Sequence, residues 1–136
     1  MSTENPTQPG PGLRNRPTVL VADDEELMLE VVSIMIEENG GKVLTAADGQ
    51  TAVDLFRDNS NIIDLVVLDF SMPKLNGFEV LNEIRKLKPS VGVILVSGLK
   101  MTPEVELLVR RREVEFLGKP FREAELLHVL NKLQGG

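Results

Sequence analysis

Apolar residues recur along this chain in two rhythms. Five short runs stand out: Val19–Ala22, Lys42–Ala46, Leu65–Leu68, Gly92–Val96 and Glu115–Leu117. The first, third and fourth are almost wholly Val, Leu, Ile and Ala, which is how parallel strands covered on both faces read. Amphipathic stretches follow each run. After the first come Leu27, Val31, Ile34 and Met35 at helical spacing, ending at Gly40-Gly41, a predicted helix stop. The next stretch offers Ala52, Leu55 and Phe56; a third offers Val80, Ile84 and Leu87, halted by Pro89. A fourth starts near Pro103 with Val105, Leu108 and Val109 inward, and the last carries Leu126, Leu127, Leu130 and Leu133. Five strands each followed by a helix make a (βα)5 pattern, and the predicted fold class is α/β with a doubly wound, five-stranded parallel sheet.

Met1 to Arg16 breaks this texture, with three prolines, two glycines and little that is apolar. Such a segment buries too little surface to offset the entropy of ordering it, so residues 1–16 read as a flexible leader or linker and 17–134 as one domain. The chain's 136 residues suffice for a core without covalent staples. It contains no Cys, which excludes disulfides, thiolate metal sites and cysteine nucleophiles and suits a cytoplasmic location. Fifteen basic against twenty-one acidic residues give a net charge of −6, with no basic cluster longer than Arg110-Arg111-Arg112. Direct nucleic-acid binding is therefore not expected. No apolar run approaches the roughly 20 residues of a membrane span, so no membrane partner is expected either.

In a doubly wound sheet the site lies beyond the carboxyl ends of the strands, where strand order reverses. Past the first run stand Asp23, Asp24, Glu25 and Glu26; past the third, Asp69, Phe70 and Ser71; past the fourth, Ser97 and Gly98; past the fifth, Lys119 and Pro120. Taken singly these are ordinary: an acid run can cap a helix, and a strand-end Ser or Asp can turn the chain. Their ordered recurrence at strand ends is what points to chemistry. Asp23, Asp24 and Asp69 repel one another in a cleft unless a cation stands between them. Mg²⁺, which takes oxygen ligands and keeps waters for exchange, is the natural one. Asp69 is the candidate nucleophile, since a carboxylate can form an aspartyl phosphate. Lys119 and the Ser97 hydroxyl would then neutralise and hydrogen-bond the phosphoryl oxygens, which is most of what phosphoryl transfer asks of a protein.

From Pro17 to about Leu133 the chain resembles the receiver domain of two-component response regulators. The resemblance rests on Asp23-Asp24 after the first strand, on Asp69 in Leu65-Val66-Val67-Leu68-Asp69-Phe70-Ser71-Met72-Pro73 with Gly77 following, on Val96-Ser97-Gly98, and on Lys119-Pro120-Phe121. It implies the flavodoxin-like receiver fold, phosphorylation of Asp69, and a Mg²⁺ site of Asp23, Asp24, Asp69 and the Ser71 backbone carbonyl. It further implies a cis peptide before Pro120 and a Ser97–Phe116 switch, Phe116 being three residues before the lysine. The implied partners are a sensor histidine kinase or phosphotransfer domain and a downstream output protein or domain. One departure is clear: where the family commonly has Ala-Gly-Ala before the fifth strand, this chain has Arg111-Arg112-Glu113. That removes an easy left-handed stop for the fourth helix. His128, the single histidine, sits among leucines and reads as structural.

Two other classes compete. A haloacid-dehalogenase-like phosphatase also uses a strand-end Asp, Mg²⁺ and a Lys, but needs a second acid two residues after the nucleophile, where Ser71 stands. A flavin carrier needs a phosphate-cradling loop after the first strand, which Asp23-Asp24-Glu25-Glu26 would repel. Within the receiver class, a phosphoacceptor rather than an enzyme, two contexts stay open: a stand-alone regulator, and a receiver belonging to a hybrid sensor kinase.

Overall fold

A computed structural model describes residues 12–70, 77–98 and 100–135. The chain runs β1 (Thr18–Ala22), α1 (Glu26–Glu38), β2 (Lys42–Ala46), α2 (Gly49–Asn59), β3 (Leu65–Asp69), α3 (Gly77–Leu87), β4 (Gly92–Ser97), α4 (Pro103–Arg110), β5 (Glu115–Gly118) and α5 (Glu123–Gly135). All strands are parallel in one sheet of order β2-β1-β3-β4-β5. The expected (βα)5 architecture is therefore present. Three strands run one residue past their last large apolar residue, to Asp69, Ser97 and Gly118. The ladder continues through these positions, pairing Asp69 with Val96 and Ser97 with Gly118.

Side chains alternate across the strands, and the helices sort accordingly. Leu20, Val66, Leu68, Val93 and Leu95 face α2, α3 and α4, where Phe56, Ile84 and Val105 meet them. Val19, Val21, Val67, Ile94 and Val96 face α1 and α5, where Ile36, Leu126 and Leu130 close the other layer. Helix α1 is turned relative to the expected stripe. Val32 and Ile36 are buried, whereas Leu27 is 70% and Ile34 48% exposed. Apolar residues lie on almost every side of this helix, so periodicity alone does not choose between neighbouring stripes; contact with the sheet does. Leu87, the last residue of α3, is also exposed.

Packing begins ahead of Pro17. Leu13 is buried against the α1/α5 layer and its N–H donates to the Asn39 carbonyl at 3.0 Å. Arg14 holds Asn131 on α5 through its own N–H at 3.0 Å and its guanidinium at 2.6 Å. Residues 1–11 lie outside the described part.

Two helices end by the same device. After α1, Gly40 takes φ 98°, with its N–H on the Glu37 carbonyl and the Gly41 N–H on that of Ile36. This is a Schellman motif with glycine in the left-handed position. After α4, Arg112 takes φ 60°, with its N–H on Val109 and the Glu113 N–H on Leu108. The missing glycine therefore does not cost the helix its stop; an arginine is driven into the left-handed region instead. Arg85 of α3 holds this turn, its guanidinium donating to the carbonyls of Pro89 and Val91, both at 2.8 Å, and of Glu113. Because a side chain in that conformation costs about 1 kcal/mol, Arg112→Gly is expected to stabilise the domain by up to about that amount. Urea denaturation checks it, and an unchanged or lower midpoint refutes it.

Candidate functional site

Register brings the site together. Ala22 pairs with Leu68, so the next residues, Asp23 and Asp69, emerge side by side from β1 and β3. This is where strand order reverses, with β2 on one flank of β1 and β3 on the other. Beyond β3, Ser97 and Gly118 are paired, which places Lys119 next in line. Backbone bonds fix these ends: Asp23 N–H to Ala46 carbonyl at 3.0 Å, Phe70 N–H to Val96 carbonyl at 3.0 Å, and Lys119 N–H to Ser97 carbonyl at 2.8 Å. The Lys119–Pro120 peptide bond is cis.

Carboxylate oxygens of Asp23, Asp24 and Asp69 lie within 4.8 Å of one another. Asp23 and Asp69 are buried and Asp24 is exposed. Lys119 crosses to meet them, its Nζ standing 3.0 Å from Asp23 Oδ2, 3.1 Å from Glu25 Oε1 and 3.6 Å from Asp69 Oδ2. Burial pulls the Lys119 pKa down, but hydrogen bonds to Asp23 and Glu25 and the charges of Asp69 and Asp23 outweigh it, leaving the ammonium above its ordinary range. Both Asp23 oxygens are engaged, Oδ2 by Lys119 and Oδ1 by the Glu25 N–H at 2.8 Å. Three carboxylates thus face one ammonium, and Asp24 adds a fourth negative charge beside Asp23 and Asp69. Clustered hard oxygen donors with a negative excess fit a divalent cation such as Mg²⁺.

Ser97 is buried at the end of β4, and Phe116 is half-buried on β5, packed toward the α2–α3–α4 layer. Phe70, next to Asp69, stacks edge-on against Phe78 with ring centroids 4.6 Å apart. Gly77 is what admits that ring, since a Cβ there would lie 2.4 Å from Phe70 Cδ1. Ser71 falls outside the described residues. His128 is exposed on α5 and takes no part. One participant went unassigned from sequence, namely Glu25. Its signal was a glutamate at a helix N-cap, where Ser, Thr, Asp or Asn is expected.

The model for the response regulator receiver domain matches residues 19–131. The chain belongs to this family. It is a phosphoacceptor receiver domain of two-component signalling, with the acidic pocket at which such domains bind Mg²⁺. Among its relatives, the autoinducer 1 sensor kinase/phosphatase LuxN of Vibrio harveyi is 32% identical over 95% of this chain and 15% of LuxN. The response regulator SaeR of Staphylococcus aureus is 29% identical over 85% of this chain and 49% of SaeR. The chain thus spans less than half the length of these relatives. Among solved structures, a receiver domain protein from Clostridium thermocellum superposes with a TM-score of 0.78 at 32% identity, covering 88% of this chain and 94% of that one. The CheX–CheY–BeF3–Mg²⁺ complex of Borrelia burgdorferi gives 0.80 at 28% identity, covering 87% and 89%. Among the described residues no helix is long and apolar enough to cross a membrane.

A raised lysine pKa contributes stability that is fully present below the unfolded value and lost as pH rises through the folded one. The gap in stability between wild type and Lys119→Met is therefore expected to be widest below about pH 10 and to shrink above it. Urea melts at pH 8 and pH 11 check this, and a gap that widens with pH refutes it.

Proposed function

We propose that Asp69 is the phosphoacceptor, that Asp24 and Asp69 hold Mg²⁺ directly, and that Lys119 and Ser97 receive the phosphoryl oxygens. The observation carrying this reading is the convergence of Asp23, Asp24 and Asp69 within 4.8 Å at the strand switch, with Lys119 spanning them. Asp23, whose two oxygens serve Lys119 and the Glu25 N–H, acts on the metal through water. The Ser71 carbonyl, as the family resemblance implies, completes the set. Mg²⁺ would offset the charge between the acceptor carboxylate and an anionic donor. An Asp69 oxygen bonds to phosphorus while the donor's own bond to phosphorus breaks, the electron pair leaving with the donor. Lys119 balances charge gathering on the phosphoryl oxygens. The domain is the acceptor in this step and turns over no separate substrate.

The donor is a phosphohistidine on a sensor kinase or phosphotransfer domain, and the recipient of the signal is an output protein or domain. Relatives that include both a sensor kinase and response regulators support both partners. The BeF3 and Mg²⁺ carried by the similar CheY complex support the phosphoryl and metal assignments. Leu27, exposed in the first turn of α1 three residues past Asp24, gives a donor an apolar contact near the pocket, and Ile34, two turns further on, extends the exposed apolar surface of that helix. Once Asp69 is phosphorylated, Ser97 is drawn to a phosphoryl oxygen and Phe116 turns into the space released. A cytoplasmic location accompanies this reading, since ATP-fed kinases charge their histidines there.

Acetyl phosphate with Mg²⁺ is expected to add one hydroxylamine-labile phosphoryl group to wild type and none to Asp69→Asn, as intact mass reads. Equal labelling of the two refutes the acceptor. Mg²⁺ at a hundred times its Kd is expected to stabilise wild type by about 2.7 kcal/mol and Asp24→Asn far less. Equal stabilisation in thermal melts refutes the metal assignment.

A further inference from the structure

Glu25 occupies the N-cap of α1 with extended backbone, φ −91° and ψ 113°, yet its side chain makes no capping bond. Two other helices have theirs: Asp48 accepts from the Thr51 N–H at the start of α2, and Thr102 from the Val105 N–H at the start of α4. Glutamate is one methylene too long to be a favoured cap. Its carboxylate reaches across the pocket instead, to 3.1 Å from Lys119 Nζ. Its backbone is fixed for that reach, since the Glu25 N–H is held by Asp23 Oδ1.

The ammonium of Lys119 is therefore shared unequally. Its hydrogen bonds go to Asp23 and Glu25, both supplied by the β1–α1 segment, at 3.0 and 3.1 Å. Asp69, the group it serves in the reading above, is farther away at 3.6 Å. The two near ties also differ in kind. The Asp23 side chain is 7% exposed, whereas that of Glu25 is 63% exposed. An ion pair so open to water is weak and exchanges readily.

We infer that Glu25 is a positioning residue for phosphorylation. It draws the Lys119 ammonium toward α1 at rest and yields it when charge builds on the phosphoryl group. Glu25 thereby slows acceptance of a phosphoryl group, because the cation that must stabilise the transition state is partly held elsewhere. The inference rests on Asp69 as acceptor and on Lys119 as the phosphoryl cation.

Charge and reach can be separated. Glu25→Gln keeps the length and loses the charge; Glu25→Asp keeps the charge and loses the reach. Glu26→Gln removes an adjacent exposed carboxylate that has no ion pair with Lys119. With acetyl phosphate at saturating Mg²⁺, both Glu25 variants are expected to be phosphorylated about two- to fivefold faster than wild type, as befits an exposed ion pair. Glu26→Gln is expected to match wild type. In the absence of donor, the Lys119 side-chain ¹³Cε resonance is expected to move in both Glu25 variants and stay in Glu26→Gln. Glu25→Asp should also melt a few degrees higher, since aspartate is a favoured cap. Three results overturn the inference while leaving Asp69 as acceptor: unchanged rates in both Glu25 variants, a wild-type rate in Glu25→Asp alone, or equal acceleration by Glu26→Gln. Absence of label on wild-type Asp69 overturns the acceptor reading and this inference together.

Discussion

Three aspartates share one end of a sheet here, and the ammonium of Lys119 is what permits it. Asp23 and Asp69 are buried, and two carboxylates held together in such a place repel each other strongly unless a cation stands between them. Lys119 reaches both, and for it to do so β5 must lie two strands from β3 with its end level with β4. The register of the parallel ladder, from Ala22 and Leu68 to Ser97 and Gly118, delivers that alignment. The two apolar layers hold the ladder rigid enough to keep it. Removing the charge pattern would leave an ordinary α/β sandwich.

The sheet was legible from sequence because a buried parallel strand leaves a clear trace: an unbroken apolar run between amphipathic stretches. The site was legible for a related reason. A polar residue directly after such a run stands at a strand end, so Asp23, Asp69 and Ser97, and Lys119 one glycine further on, could be named from the runs alone. Helix faces were harder. In α1 the apolar residues nearly encircle the helix, and the difference between Leu27 out and Val32 in depends on tertiary contact. Leu13 was missed because composition averages over a segment, while a single leucine can fill a gap between helices.

The reach of Glu25 was hidden for a different reason. Its contact with Lys119 spans 94 residues of sequence, and no local pattern records which acid of a run a distant lysine will choose. The only local trace was negative: a residue poorly suited to its cap. The left-handed Arg112 is similar. Sequence showed that glycine was absent, but not whether the motif would dissolve or persist. It persists because the same two backbone bonds that close α1 also close α4, with Arg85 bracing the turn from outside.

That brace makes α4 a lever with a fixed end. Arg85 ties the turn beyond Arg112 to the α3–β4 connection, so any movement of α4 that keeps these bonds is a rotation about its carboxyl end. The helix is 8 residues long, which at about 1.5 Å per residue gives an arm of roughly 12 Å. A tilt of about 10° then carries the Thr102 end by about 2 Å while Arg110 hardly moves. The end without this brace is the one nearer Ser97 in the chain, so the braced end lies as far along α4 from the chemistry as the helix allows.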